Sequence, residues 1–293
     1  MLLRAEARRQ RLGLAPELAV DDLPASEKAI WLSSIAAYSP VAQKIVYDPS
    51  MTPITDALAE VGNGRRVSSV GIPPALAHAL RAAAPIYREH LWRSDRAEDD
   101  KWIGDHCRDI QRFDRPIEIA IARAFGLEPP RKPIVVNLAR EVGPNFAFTA
   151  TGLAGAAGHT ILSPLQTSGK HVALTTIFHE ISHTMDDRIV PLVEGEAKRQ
   201  NVSVPEDLWH AMTLYTTSVI TQDRLERDGQ STADVLADRI ALFQQSHWEP
   251  LLLILDRDWR PHLEGKTSLA SALASTIREA SKVGRSSQSD MKS

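Results

Sequence analysis

The sequence predicts an α+β fold that is mostly helical, with a small sheet preceding a helix that carries the pattern H-E-x-x-H. Apolar residues recur at helical spacing in the N-terminal part of the chain and again in its second half. Between these regions, three short segments are β-branched or alternate between apolar and polar residues, which is typical of strands. The length of 293 residues and the 43% hydrophobic content are ample for a real core.

The N-terminal part is predicted to be helical. Residues 1–22 are polar and rich in arginine, and we expect them to form a loosely held arm. Residues 25–61 place apolar side chains at helical spacing. Pro74 is expected in the first turn of a strong helix, where proline is tolerated. A further helix is predicted over 101–125 and is expected to end at Gly126.

The three predicted strands read KPIVVN at 132–137, NFAFTA at 145–150 and HTILS at 159–163. The first is rich in β-branched residues, and the second alternates aromatic and polar residues. The glycine-rich residues 152–158 lack the spacing of a phosphate-binding loop, and we expect them to form a mobile loop. Together the strands predict a small sheet made largely of hairpins.

After the sheet the chain is predicted to return to helices. These cover 171–188, 205–223, 232–245, a stretch after Pro250 and 268–280. We therefore expect a helical N-terminal part over 1–130 and a second part over 131–285 that holds the H-E-x-x-H helix. The polar residues 286–293 are expected to form a disordered tail.

Composition excludes several classes of site and partner. The 34 Lys+Arg against 37 Asp+Glu give a formal charge of -3, so we expect no general attraction to nucleic acid. The single cysteine, Cys107, excludes a disulfide framework and a metal site built from several thiolates. The charged N-terminus lacks the apolar stretch of a signal peptide, and the apolar run 251–255 is too short to span a bilayer. These features predict a soluble cytoplasmic protein with no membrane partner.

The strongest motif is His179-Glu180-Ile181-Ser182-His183, which is H-E-x-x-H. On a helix, positions i and i+4 lie on one face, so two imidazoles can bind one zinc ion from a single rigid element. Zinc lowers the pKa of its water toward ~7, and Glu180 is close enough to accept the proton as general base. The pattern therefore predicts a catalytic zinc site with His179 and His183 as ligands.

The order of strands, an H-E-x-x-H helix and a second helix resembles the zincin metallopeptidases over residues 131–225. In zincins the helix lies against a sheet whose edge strand pairs with an extended substrate, and NFAFTA at 145–150 is similar to that edge strand. Asp186 and Ile189 stand where metzincins have a glycine and a third histidine, so this branch is excluded. The resemblance implies a zincin-like fold, a Zn²⁺ cofactor and a peptide or small amide-containing substrate.

A catalytic zinc ion usually has three protein ligands and an open position. Pro205 is interpreted as the first residue of the next helix, so the helix dipole alone explains an acidic Glu206 in the first turn. His210 lies deeper among apolar residues, where a histidine needs a polar partner or a metal. We therefore favour His210 as the third ligand, with Glu206 as the main alternative. The remaining candidates, of which the last two could instead orient a ligand imidazole, are Glu194, Glu196, Asp186 and Asp187.

Zincins often stabilise the oxyanion with a tyrosine or histidine, because charge builds on the carbonyl oxygen in the transition state. Tyr215 lies five residues after His210 and is the first candidate for this role. The alternative interpretation of Tyr215 is a core aromatic with a hydrogen-bonded hydroxyl. His247, beside Trp248, is a weaker candidate for the same role.

The sequence thus predicts a zinc-dependent hydrolase, and by resemblance a metallopeptidase, in which His179, His183 and His210 hold the metal and Glu180 activates water. A set of three histidines departs from the thermolysin-like pattern and leaves other hydrolytic reactions open. One alternative is a catalytically inactive zincin-like protein that binds or regulates a partner. Another is a protein whose zinc has four ligands and only closes the fold.

Overall fold

A computed structural model describes residues 2–13, 18, 20–41, 54, 57, 72–140, 142, 147–151, 156–165, 167 and 169–290, with backbone only over 284–290. The described chain is mostly helical with a three-stranded sheet, which agrees with the predicted α+β class. It divides into two compact units, one from Met1–Asp105 and Lys132–Ser168, the other from His106–Arg131 and Gly169–Ser293. Within the described residues, no helix combines the length and apolar character needed to cross a membrane.

The N-terminal part is helical where the structure describes it. The helices are Leu2–Arg11 (α1), Ala25–Tyr38 (α2), Pro74–His90 (α3) and Trp92–Ala124 (α4), with 3-10 turns at Val20–Asp22 and Ser39–Val41. α2 packs against α1 and α3, and Trp31 and Ile35 of α2 are almost completely buried. Pro74 opens α3 as predicted. Most of the predicted helical stretch 25–61 beyond residue 41 lies outside the described residues.

The expectation of a loosely held N-terminal arm is wrong for α1. Leu3 and Ala7 lie one helical turn apart on one face, and both are buried in the same core as Trp31. Removing this apolar face from water stabilises the docked helix. Three of the four basic residues that make the segment look solvated stand in the last turn, where they face the negative end of the helix dipole, and the fourth, Arg4, is buried.

Gly126 ends α4 as predicted. Its φ of 67° lies in the left-handed region, and Leu127 donates its backbone N–H to the Ala122 carbonyl at 2.9 Å. A Cβ at this position would approach Leu269 Cδ2 to 2.9 Å. Both the backbone conformation and the packing therefore require glycine here.

The sheet consists of Ile134–Leu138 (β1), Ala147–Thr151 (β2) and Gly158–Leu162 (β3), in the order β1-β3-β2. β3 pairs antiparallel with β2 but parallel with β1. The expectation of a sheet made largely of hairpins is therefore wrong for β1, because the chain forms the far edge before it returns to the centre. β2 lies at an edge, as expected for NFAFTA. Of the predicted loop, residues 152–155 lie outside the described residues, and Gly158 opens β3.

The second unit holds the remaining helices. They are Lys170–Ser182 (α5), Asp186–Arg199 (α6), Leu208–Arg227 (α7), Ala233–Gln245 (α8), Glu249–Ile254 (α9), Arg260–Leu263 (α10) and Leu269–Asp290 (α11). A 3-10 turn at His183–Met185 joins α5 to α6, and a π-helical segment at Leu255–Trp259 joins α9 to α10. α11 runs past Ala280, its predicted end.

Two predicted helix boundaries near the motif are wrong. The single helix predicted over 171–188 is interrupted by the 3-10 turn, where the backbone N–H of His183 donates to two carbonyls of α5. The helix predicted to begin at Pro205 begins at Leu208. Pro205 instead opens a turn in which its carbonyl accepts the Leu208 N–H at 3.1 Å.

Packing of α5 against α7 brings the motif beside the first turn of α7. Both helices bury apolar residues along most of their length, among them Leu174, Ile177, Phe178, Leu208 and Met212. Since each large buried side chain contributes about 1.5–3 kcal/mol, this interface holds the two backbones in a defined relation. His179, His183 and His210 all belong to this packed region of the second unit.

Candidate metal centre

Three imidazoles converge at the start of α7. His179 lies in the last turn of α5, His183 opens the 3-10 turn, and His210 lies in the first turn of α7. The Nε2 atom of His179 lies 3.1 Å from Nε2 of His210 and 3.3 Å from Nε2 of His183. One nitrogen from each of the three lies within 4.8 Å of the others. The structure thus brings together the three histidines that the sequence predicted as ligands.

Two of the three separations between these nitrogens fit a tetrahedral metal ion. Zinc binds histidine nitrogen at about 2.0–2.1 Å, and tetrahedral geometry then separates neighbouring ligand nitrogens by about 3.3 Å. The two separations from His179, 3.1 and 3.3 Å, agree with this value. Within the described residues, no other group of three histidine, cysteine or acidic side chains is arranged to hold a metal ion.

Burial keeps two of the imidazoles uncharged. Burial, and then the neighbouring His183 and His210 side chains, hold the pKa of His179 well below its usual value of 6.5. Burial and the nearby His183 lower the pKa of His210 to about 3. Because a neutral imidazole keeps a lone pair, both side chains are in the ligand state at neutral pH.

Asp186 orients the His183 ring. Its Oδ2 lies 2.8 Å from Nδ1 of His183, so an Nδ1–H that donates to this carboxylate leaves Nε2 free to bind a metal. Burial lowers the pKa of His183, but the hydrogen bond to Asp186 and the charges of Glu180 and Asp186 outweigh it, and the net shift is upward. The sequence had offered Asp186 both as a ligand and as an orienting residue, and this contact matches the second role.

Glu180 is a buried carboxylate beside the three histidines. Only 5% of its surface is exposed, although it is adjacent in sequence to His179. Its charge acts on His183, where it raises the pKa of the imidazole. A buried carboxylate whose charge acts on an imidazole of this cluster is suited to accept a proton from water.

The alternative ligands from the sequence do not join the cluster. Glu206 is exposed and precedes α7, because the helix begins three residues later than the predicted start at Pro205. Glu196 on α6 is engaged by Arg199 and by Gln200, whose Nε2 lies 2.6 Å from the carboxylate. Of the candidates for the third ligand, His210 is the one whose Nε2 lies 3.1 Å from Nε2 of His179.

Tyr215 does not face the three histidines. Five positions along a helix place it about 140° around α7 from His210. Its side chain is completely buried, and its hydroxyl donates to Asp256 on the π-helical segment. Burial, and then this hydrogen bond, raise the pKa of the phenol. The structure therefore matches the alternative interpretation, a core aromatic with a hydrogen-bonded hydroxyl. His247, the other oxyanion candidate, is exposed, with a φ of 57°.

Two tryptophans surround His210, and no motif in the sequence predicts a role for them. The Trp209 ring stacks on His210 at 5.2 Å between centroids, and the Trp248 ring meets it edge-on at 5.3 Å. Trp209 directly precedes His210, so its position in the sequence is a signal for contact with this ring. Trp248 lies far along the chain, and only the packing of the helices brings it here.

Comparisons with protein-family models, curated proteins and solved structures find no match to this chain. The zincin-like fold therefore stays a prediction. A function is inferred from the chemistry of the site alone.

Proposed function

We propose that this protein is a zinc-dependent hydrolase. His179, His183 and His210 would hold the metal through their Nε2 atoms, and Glu180 would act as the general base. The observation that carries the proposal is the convergence of three imidazoles whose ligand nitrogens lie within 4.8 Å of one another, with two Nε2–Nε2 separations at the spacing of a tetrahedral zinc site. A set of three protein ligands is also the number typical of catalytic zinc, which keeps one position for water or substrate.

The chain's own residues supply the remaining functions. When bound, zinc supplies Lewis acidity, which makes water a nucleophile near neutral pH. Glu180 accepts the proton of the attacking water on a carboxylate oxygen and can return it to the leaving group. Asp186 holds His183 in the tautomer that binds through Nε2. Burial favours this arrangement, because charges interact more strongly where water is excluded.

A peptide or another amide bond is the proposed substrate, by the resemblance to zincins. An amide carbonyl develops negative charge during hydrolysis, which a cation site stabilises. The alternative is a zincin-like protein that binds a partner without catalysis. The buried Glu180 favours the enzyme, because burying a carboxylate costs free energy that a purely structural histidine site has no reason to require.

Metal analysis tests the proposal directly. Full-length protein is purified from zinc-supplemented medium, dialysed and analysed for metal by atomic spectrometry. We expect about one zinc per chain in the wild type and a loss of nearly all of it in His210→Ala, because two ligands hold zinc far more weakly than three. His78→Ala, which removes an exposed histidine outside the cluster, is the matched control and should keep its zinc. A wild type without metal, or a His210→Ala variant with undiminished zinc, would overturn the proposed site.

A further inference from the structure

The corner between α8 and α9 directs one indole onto the metal centre. His247 adopts a left-handed φ of 57°, and the backbone N–H of Trp248 donates to the Phe243 carbonyl at 2.8 Å. This is the pattern of a helix that ends abruptly and turns. The turn brings Trp248, which is 9% exposed, edge-on to His210 at 5.3 Å between ring centroids.

Asp207 ties this corner to the first turn of α7. Its carbonyl accepts the backbone N–H groups of His210 and Ala211, each at 3.0 Å. Its side-chain Oδ2 accepts the indole Nε1–H of Trp248 at 2.5 Å. One residue therefore fixes both the backbone that carries His210 and the ring that packs against His210.

The His210 ring depends on packing more than the His183 ring does. His183 is oriented by the hydrogen bond to Asp186. Within the described part of the chain, the His210 ring makes no hydrogen bond except its contact with His179. It stacks with two rings at small interplanar angles, Trp209 at 5.2 Å and His179 at 5.1 Å between centroids, and Trp248 meets it edge-on.

We propose that Trp248, held by Asp207, is the positioning residue for the third metal ligand. This inference rests on the proposed function, because it concerns the affinity of the same three histidines for a metal. Trp248 orients the His210 ring by packing against it, as Asp186 orients the His183 ring by a hydrogen bond. Supporting residues of this kind typically change metal affinity by about 10- to 100-fold when they are altered. We expect an effect at the lower end of this range, because Trp209 and His179 remain in place.

The first test measures the affinity of the full-length protein for Zn²⁺ by competition with a chromophoric chelator. Trp248→Phe removes the indole N–H and keeps an aromatic ring, and we expect it to bind Zn²⁺ about 10-fold more weakly than the wild type. Trp259→Phe is the matched control. It also removes a buried indole hydrogen bond, from Nε1 to Thr216 Oγ1 at 2.8 Å. This bond involves none of the three clustered histidines. Equal losses in both variants would indicate general loosening and overturn the proposal.

The second test uses Asp207, which is exposed, so that the fold does not depend on burying its side chain. Asp207→Ala removes the acceptor and should weaken Zn²⁺ binding as Trp248→Phe does. Asp207→Asn keeps a side-chain oxygen and should retain most of the affinity. In the double variant Trp248→Phe/Asp207→Ala, the losses should not add, because both changes break the same bond. Fully additive losses, or wild-type affinity in Asp207→Ala, would overturn the proposal.

Cobalt provides a readout of geometry. Co²⁺ absorbs visible light according to its coordination, so a displaced His210 should change the Co²⁺ spectrum of Trp248→Phe and leave that of Trp259→Phe as in the wild type. The two proposals fail differently. A wild type that binds neither Zn²⁺ nor Co²⁺ overturns the proposed function and this inference together. Wild-type binding that Trp248→Phe and Asp207→Ala leave unchanged overturns the inference alone.

Discussion

At the scale of residues, two carboxylates act on the imidazole of His183 in different ways. Asp186 contacts it directly through Nδ1, and Glu180 acts through its charge from a buried position. The first contact determines which nitrogen is available to a metal. Because Asp186 already orients the His183 ring, Glu180 is not required for that role. We therefore propose Glu180 as the group that transfers the proton.

Glu180→Gln should separate metal binding from catalysis. The amide keeps the size of the side chain but cannot accept a proton, and general acid–base catalysis contributes typically about 10²- to 10⁴-fold. We expect zinc content equal to that of the wild type and hydrolysis of an amide substrate reduced at least about 100-fold. Metal analysis and turnover of a fluorogenic peptide panel measure the two quantities. Retained turnover would remove Glu180 from its proposed role.

At the scale of elements, α7 contributes to two separate parts of the molecule. Its first turn holds His210 in the candidate metal centre. Its later turns anchor the π-helical segment, because Tyr215 donates to Asp256 and Thr216 accepts the indole N–H of Trp259. π-Helical stretches are rare and occur mostly as single turns inside helices, and these two side-chain hydrogen bonds hold this one against α7. Tyr215 thus belongs to the support of the fold.

Tyr215→Phe should change stability and leave the site intact. Phenylalanine lacks the hydroxyl that donates to Asp256. The Asp256 carboxylate is half exposed, so water can solvate it in place of that hydroxyl. We expect a loss of about 1 kcal/mol in the free energy of unfolding. Urea denaturation measures this, and zinc content should not change. If hydrolysis fell about 100-fold while zinc and stability were kept, the oxyanion role would have to be restored to Tyr215.

At the scale of the whole molecule, the proposed metal ties together helices that are distant in sequence. His179 lies in the last turn of α5, His183 opens the 3-10 turn that follows it, and His210 belongs to α7, with α6 between these segments in the sequence. An unfolded chain does not present these three nitrogens together. Binding energy at this site is therefore stabilisation of the folded state of the second unit.

Chelation should therefore lower the thermal unfolding midpoint. A ligand at about 1,000 times its Kd stabilises the folded state by about 4 kcal/mol, which corresponds to roughly 8–16 °C at 2–4 °C per kcal/mol for a chain of this size. We expect differential scanning calorimetry to show a decrease of about this size on treatment with excess dipicolinate. His210→Ala, which lacks a full site, should show no change with chelator. A wild-type midpoint indifferent to chelator would contradict a bound structural or catalytic metal.

Several features of the site follow from local patterns that are visible in the chain. His179 and His183 were predictable because a helix puts positions i and i+4 on one face. His210 was predictable because a histidine among apolar helical residues requires a partner. The end of α4 at Gly126 follows from the same kind of local rule.

Features that depend on distant contacts could not be predicted in this way. The start of α1 looks solvated by composition, and its docking depends on the apolar surface that α2 offers to Leu3 and Ala7. β1 pairs parallel with β3 through a crossover connection, and the turn residues that predict hairpins give no indication of such a connection. The bond between Trp248 and Asp207 joins residues 41 positions apart.

Local periodicity in the chain was thus sufficient to predict its mostly helical character and a pair of histidines on one helical face, and it favoured His210 over Glu206 as their third partner. Folding in three dimensions decided that His210 reaches the other two, that Tyr215 turns to Asp256, and that Trp248 packs against His210. The physical reason is the range of the forces involved. Helix periodicity is set by backbone hydrogen bonds within a few residues, whereas the partner of a side chain on a buried face is set by which other helix covers that face.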